Sequence, residues 1–521
     1  MNYYGHQGDT VHGLIFCSCK KEAKELSELL NQRGLKTVAL TGEDSQEYRE
    51  QTVTNLENGA IDYILVVDIF NEGIDIPCIN QVVMLRNTQS SIIFVQQLGR
   101  GLRKFHSKEY VTVIDFIGNY KNNYLIPIAL FGDQSMNKDN YRRDVRQPFS
   151  LQGLTTINFE KIARDQIFKS ISKAPYSSVK NLEEIFVSLK NRLGRIPYLY
   201  DFVINKSVEP LVFFENRAYF RSYADVINKF SDETERIVLS DVEKRYLEFV
   251  TFELAPGKRQ QDLVLLELLV NNDGIISEQS WIDTLNSIGV STDKEVLESV
   301  KRVLDLSFLK ATERKRYGTV PLVQENEGKF YLNSDVMRSL SLNKNYAKLF
   351  NDIIAVGRSK QEIYPEVFTI GRKYTIRDVL KLLNFKSDEP IMTGYKIDRY
   401  SHSCPVFVTY KKNENINETI KYKDGFIDES TLGWESTVGR SLSSNDVRAI
   451  TDSEASNLRL ELYVKKDDNE GHEFYYLGRI HYVLGSAEEI VQEKTGKGLV
   501  HMLFDLDTPV EPSLYRYLTQ E

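Results

Sequence analysis

The chain opens on short apolar runs separated by amphipathic stretches. VHGLIFC (11–17) is apolar and rich in strand formers. KKEAKELSELLNQRG follows, with Ala23, Leu26, Leu29 and Leu30 at helical spacing and Gly34 as a stop. TVALT (37–41) predicts a second strand, and SQEYREQTVTNLENG a second helix capped by Ser45. YILVV (63–67), QVVML (81–85) and YVTVIDF (110–116) predict three more strands, with a helix between the last two. Buried strands alternating with amphipathic helices predict a parallel α/β sheet over residues 1–132.

The pattern then changes. Residues 133–150 are polar, include YRRDVRQP and suit a linker. Residues 151–257 predict helices, most clearly LEEIFVSLKNRLGRIP (182–197), ended by Gly194 and Pro197. Residues 258–344 predict a winged helix. DLVLLELLVN, SEQSWIDTLNSIG and TDKEVLESVKRVLDLSFL would be its helices, and KATERKRYGTVPLVQENEGKFYL its two-stranded wing. Residues 345–521 predict a β-rich α+β domain with KYTIRDVLKLL as an early helix. Its strands would be CPVFVTYKK, RLELYVKK, HEFYYLGRIHYVL and LVHMLFDL.

Composition narrows the class. Of 521 residues, 41% are hydrophobic and 27% charged, as in soluble globular proteins. No apolar run reaches the length of a membrane span, and residues 1–20 lack a signal-peptide pattern, so a cytoplasmic protein is expected. Cys17, Cys19, Cys78 and Cys404 lack neighbouring histidines at metal spacing, which predicts reduced thiols and no metal site. The net charge of −8 argues against a basic coat but permits a local basic stripe.

The candidate chemistry centres on QQLGRGLRKF (96–105). Gln96, Arg100 and Arg103 share one helix face, and two arginines one turn apart suit an anionic group. Alone, such a face is better accounted for as a solvated helix face with surface ion pairs. Two further blocks change that. GLIFCSC (13–19), VVDIFNEGIDIP (66–77) and QQLGRGLR (96–103) occur in this order, and together they resemble the second RecA-like domain of superfamily 2 helicases of the DEAD/DEAH type. The resemblance implies that Arg100 and Arg103 are arginine fingers and that Gln96 assists near the phosphates. It places Gly73, Asp75 and Gly99 at the nucleotide and domain interface. Thr41 and Gly42, in ALTGED, match a block that touches strand phosphates. ATP and Mg2+ would be bound jointly with a first RecA-like domain. Arginine suits the finger role because its planar fork stays charged and can bind two oxygens.

Such an ATPase also needs a phosphate loop ending in GK[ST] and a DExH or DExD box. In KTGKG (494–498), Gly498 stands where the hydroxyl residue is needed; DEST (428–431) and DETE (232–235) lack the final Asp or His. The expectation is therefore the C-terminal part of a longer helicase, its first motor domain missing from this chain, which alone does not hydrolyse ATP. The expected partner is nucleic acid, DNA in preference to RNA. The alternative is a non-catalytic DNA- or protein-binding module, one form of which senses modified DNA in phage defence.

Further candidates lie downstream. Arg192 and Arg195 flank the Gly194 stop, either as a nucleic-acid-facing turn or as exposed arginines of a helix end. Lys310, Arg314, Lys315 and Arg316 would place positive charge on the wing, against phosphates or in solvent. FTIGRKYTIRDVL (368–380), GWEST (433–437) and FYYLGRIHYV (474–483) resemble the uncharacterised domain often fused behind bacterial helicases. A barrel of the PUA or SRA kind would suit it. Tyr395, His402, Trp434 and Tyr476 could then stack on a splayed base, although strand aromatics usually fill cores, as expected for Tyr476.

Overall fold

The computed structural model describes residues 10–67, 76–85, 110–115, 177–205, 207–318, 320–411, 424–468, 471–491 and 496–519, with isolated positions between 141 and 171. The chain divides into two compact units, Met1–Pro175 and Tyr176–Glu521.

The first unit is built on a parallel sheet. Its strands are Gly13–Phe16 (β1), Thr37–Leu40 (β2), Tyr63–Val66 (β3), Gln81–Met84 (β4) and Thr112–Asp115 (β5), in the order β2-β3-β1-β4-β5. All four pairings are parallel. Every residue of β1, β3 and β4 is buried, as expected of strands covered on both faces. The period of two sorts their side chains. Leu14, Phe16, Ile64 and Val66 face one core with Leu56 of helix Gln46–Glu57 (α2). Ile15, Tyr63 and Leu65 face the other with Ala23 of helix Lys20–Gln32 (α1). Gly13 is fixed by packing, because a Cβ there would lie 2.0 Å from the Tyr63 ring. That ring is held in turn by a Tyr63 hydroxyl bond to buried Gln81 at 2.9 Å.

The second unit begins with helices. Val179–Leu193 starts at Ser178, whose hydroxyl accepts from the Asn181 N–H, and stops at Gly194 with φ 66°. Helices Leu199–Ile204, Tyr223–Phe230 and Asp241–Phe249 follow. Next come Gln260–Asn271, Glu278–Ser287 and Lys294–Leu304, and with them a three-stranded antiparallel sheet. Its strands are Ile275–Ser277 (β6), Val323–Asn326 (β7) and Lys329–Leu332 (β8).

One expectation fails here. The basic segment 310–316 does not form part of a hairpin: Ala311–Tyr317 is a helix, and the hairpin is confined to β7 and β8. Tyr317 anchors that helix. Its ring packs edge-on against Phe249 at 5.3 Å and its hydroxyl donates to Glu253 at 2.9 Å. Arg314, Lys315 and Arg316 sit in the last turn, where positive charge favours a helix.

Residues beyond 366 form the mixed sheet. Lys373–Thr375 (β9), Ser403–Lys411 (β10), Gly425–Phe426 (β11), Thr431–Glu435 (β12), Arg459–Asp467 (β13), Glu473–Tyr482 (β14), Glu488–Val491 (β15) and Gly498–Leu506 (β16) make it. The main path is β10-β13-β14-β16-β12-β11, with β15 on β16 and β9 on β14. The β10–β13 pair is parallel and the others antiparallel. The sheet curls until its two edges meet, and Tyr410 of β10 stacks on Phe426 of β11 at 6.1 Å.

Buried charges join this sheet region to the helices before it. Lys258 Nζ donates to Asp378 and Glu473, each at 2.9 Å. Burial works against the Lys258 charge, but the two carboxylates more than offset it and hold its pKa above the usual lysine range. Burial likewise opposes ionisation of Asp378, and Lys258 and Lys381 outweigh it, so the carboxyl stays below its usual range. Arg377 reaches Glu253 at 2.9 Å and Asp388 at 3.2 Å.

Candidate nucleic-acid interface

In open parallel sheets, ligands meet the loops beyond the carboxyl ends of the strands. Here α1 and α2 leave that edge toward opposite faces of the sheet, which parts the two loops after β1 and β2. The loop after β2 is a built turn. The Thr41 N–H and hydroxyl donate to one Asp44 oxygen at 2.6 and 3.1 Å. Arg49 Nη2 donates to the carbonyls of Thr41 and Gly42 at 3.2 and 2.9 Å. Thr41 is thus turned inward, at 2% exposure, while the Gly42 backbone is exposed and open. Lys20, after β1, reaches Glu43 at 2.6 Å and holds its carboxyl below the usual range. The edge therefore offers a bare backbone turn beside an exposed ammonium group.

Gly73, Asp75, Gln96, Gly99, Arg100 and Arg103 lie outside the described residues.

In the second unit the predicted residues separate. Arg314 turns inward and donates to the carbonyls of Leu306, Ser307 and Leu309 at 3.0 to 3.2 Å. Arg316 faces Glu248 and Glu313 at 3.6 and 3.5 Å. Lys315 has no side-chain partner among the described residues and is exposed. Trp434 is a core residue, 4% exposed, edge-on to Tyr395 at 5.1 Å and Phe504 at 5.8 Å. It offers no free face to a base, because β12 is an interior strand and its side chain points into the curl of the sheet. Tyr395 and Tyr476 are also buried, and the Tyr476 hydroxyl donates to Glu461 at 2.7 Å. Of the four aromatic candidates, His402 alone is exposed, at φ 47°. Arg195, beyond the Gly194 stop, is held by a two-pronged bond to Asp201 at 2.7 and 2.8 Å. Its guanidinium is therefore committed within the helical region.

Sequence reasoning missed Asp352. It accepts from the N–H groups of Leu199 and Tyr200 at 2.7 and 3.0 Å and so caps a helix 152 or more residues away in sequence. Burial pushes its carboxyl up to about 6 against those bonds. No local pattern could have signalled a cap supplied from such a distance.

The parallel sheet, covered on both faces, defines an α/β unit. Comparison with known proteins gives its kind. Residues 3–104 match the family model "Helicase conserved C-terminal domain". Residues 182–366 match "Domain of unknown function (DUF8090)", and 368–518 match "Domain of unknown function (DUF3427)". The chain is similar to the putative ATP-dependent helicase IRC3 of Saccharomyces cerevisiae, 28% identical over 33% of this chain and 24% of that protein. It is similar to the ATP-dependent RNA helicase DeaD of Haemophilus influenzae, 34% identical over 17% of this chain and 14% of that one. It thus spans a quarter or less of either relative. A solved DEAD box protein from the hyperthermophile Methanococcus jannaschii is 26% identical, over 21% of this chain and 30% of that one, with a TM-score of 0.19.

Residues 3–104 thus carry the conserved C-terminal domain of superfamily 2 helicases on a parallel sheet, and residues 368–518 carry a DUF3427 domain. No helix among the described residues is long and apolar enough to cross a membrane.

Proposed function

We propose that this chain is the DNA-engaging, arginine-finger portion of an ATP-dependent superfamily 2 helicase or translocase in the cytoplasm. The observation that carries the reading is the set of three motif blocks, in family order, within the stretch that matches the helicase C-terminal domain. A first RecA-like domain supplies the phosphate loop and the DExH/D box, which this sequence does not contain. ATP with Mg2+ supplies the phosphoryl transfer that drives the motor. Arg100 and Arg103 present fixed positive charge to the transferred group, Gln96 assists, and Gly73, Asp75 and Gly99 shape the interface. The exposed Gly42 backbone, steadied by Arg49 and Asp44 through Thr41, meets a strand phosphate.

The helices and sheet of residues 258–344 act as a winged-helix module, supported by three helices and a later hairpin, with the short helix Ala311–Tyr317 between them. Lys315, exposed and without a side-chain partner among the described residues, offers it a free cation. The curled C-terminal sheet is of the PUA or SRA kind in this reading, supported by the contact between its edges.

The test is nucleic-acid-stimulated ATPase of the protein joined to a first RecA-like domain. Arg100→Ala or Arg103→Ala lowers turnover by about 10³-fold. Turnover within about threefold of the parent would sink the finger assignment. Stronger stimulation by RNA than by DNA would overturn the DNA preference.

A further inference from the structure

A cationic and aromatic patch lies in the second unit, where the two segments matching domains of unknown function meet. Asp398 and Ser403 bond to each other through both backbone pairs, at 2.9 and 3.2 Å, and the chain between them is a tight turn. The turn reads Arg399-Tyr400-Ser401-His402, and all but Ser401 are exposed. Tyr400 is 45% exposed. Lys386 Nζ sits 4.3 Å from the centre of its ring, and the Arg302 guanidinium 5.7 Å from it. Arg302 ends helix Lys294–Leu304, which belongs to the preceding segment, and donates to the Asn384 carbonyl at 3.1 Å. Arg459 joins from β13, donating to the Ser401 carbonyl at 3.3 Å.

These cations are not neutralised locally. Arg302, Lys386 and Arg399 have no carboxylate partner among the described residues, unlike Arg316 and Arg377. The neighbouring acids are engaged elsewhere. Asp398 accepts from the Ser401 N–H and hydroxyl at 2.8 and 2.7 Å, Glu389 pairs with Lys396 at 2.7 Å, and Asp388 faces Arg377. Polar capacity is also left over beneath the patch. Arg302 Nε and Asn384 Oδ1 are buried without a hydrogen-bond partner, and Asn384 is 7% exposed.

We propose that this patch binds a single strand of nucleic acid, one base stacking on Tyr400 and flanking phosphates meeting Lys386, Arg399 and Arg302. The proposal rests on the reading above that nucleic acid is the partner, and it names a contact site remote in sequence from the motor motifs. An aromatic face beside unpaired cations is the arrangement that holds single strands without sequence preference. Arginine and lysine on the ring give way to the base and turn to its phosphates. A duplex fits less well, because its bases are paired and stacked on one another and are not free to stack on Tyr400.

The experiment uses the full chain and a labelled oligo(dT) of about 20 nucleotides, longer than the span of one binding fold. Tyr400→Ala should weaken binding by about 5- to 100-fold, and Tyr400→Phe should retain it. Lys386→Ala and Arg399→Ala should each reduce the dependence of log affinity on log salt by about 0.7. Tyr400→Trp adds a reporter, since the natural Trp281 and Trp434 are 0% and 4% exposed; its fluorescence should be quenched as the oligonucleotide binds. Affinity within about twofold for both Tyr400→Ala and Lys386→Ala, with no quenching in Tyr400→Trp, would overturn the proposal. Displacement by poly-glutamate as effective as by unlabelled oligonucleotide of equal charge would also overturn it, in favour of an acidic protein segment. Arg100 and Arg103 are not part of this turn, so loss of turnover and loss of strand binding report separately on the two readings.

Discussion

Two groups of basic residues in the second unit differ both in their spacing along the chain and in what surrounds them in the fold. KATERKRY holds four cations within seven residues, and the structure turns Arg314 inward onto carbonyls and sets Arg316 against glutamates. Lys386, Arg399 and Arg302 are scattered over nearly a hundred residues, and the fold gathers them around one exposed ring. Charge density along the chain is thus a poor guide to charge available at the surface. A cation that satisfies buried carbonyls contributes stability, whereas one left unpaired is free to meet an external phosphate.

Substitutions sharpen that contrast, starting with the most committed charge. Lys258→Ala leaves Asp378 buried without its main counter-charge, and should cost about 3–5 kcal/mol in denaturant unfolding. A loss below about 1 kcal/mol would mean that the buried network is dispensable and the inward class is wrongly drawn.

An anion extends the comparison. Asp352 is half-buried and accepts from two N–H groups, and burial raises its carboxyl to about 6 from an ordinary 3.8 against those bonds and the nearby Lys348 charge. The folded state therefore holds the proton more tightly than the unfolded chain. Its contribution to stability is greatest below the unfolded value and falls as pH rises toward 6, by roughly 2–3 kcal/mol in all. Asp352→Asn should flatten this part of the stability–pH curve. An unchanged slope between about pH 4 and 6 would remove Asp352 from the account.

The smallest effect separates the two basic groups directly. Arg314→Ala should destabilise by about 1–2 kcal/mol, since it strands carbonyls that the guanidinium now satisfies. Lys386→Ala should change stability by no more than about 0.5 kcal/mol. Equal effects on melting for the two variants would erase the distinction between inward and outward cations.

The legibility of the chain follows the same division. Strands β1, β3 and β4 were readable because each is a short, wholly buried run between amphipathic helices. The Gly194 stop was readable because a left-handed cap favours glycine. The sequence assigns 310–317 to the two-stranded wing that follows, and only the fold shows what holds Tyr317. Its partner Glu253 is 64 positions away, and that contact decides for helix. Trp434 could have been a stacking platform by sequence, and neighbours from β16 and the segment before β10 made it core. Of the Arg399–His402 turn the sequence signals His402 alone, because Lys386 and Arg302 become neighbours of Tyr400 only through folding.

By itself, the sequence determined the parallel α/β order of the first unit and the presence of the ordered helicase blocks. Both are local: burial periodicity and motif spacing act over a few residues and survive without knowledge of distant partners. Tertiary structure alone decided which cations are spent on buried carbonyls and carboxylates and which remain open. That choice depends on desolvation and on partners tens to hundreds of residues away, and neither quantity is written in a local pattern.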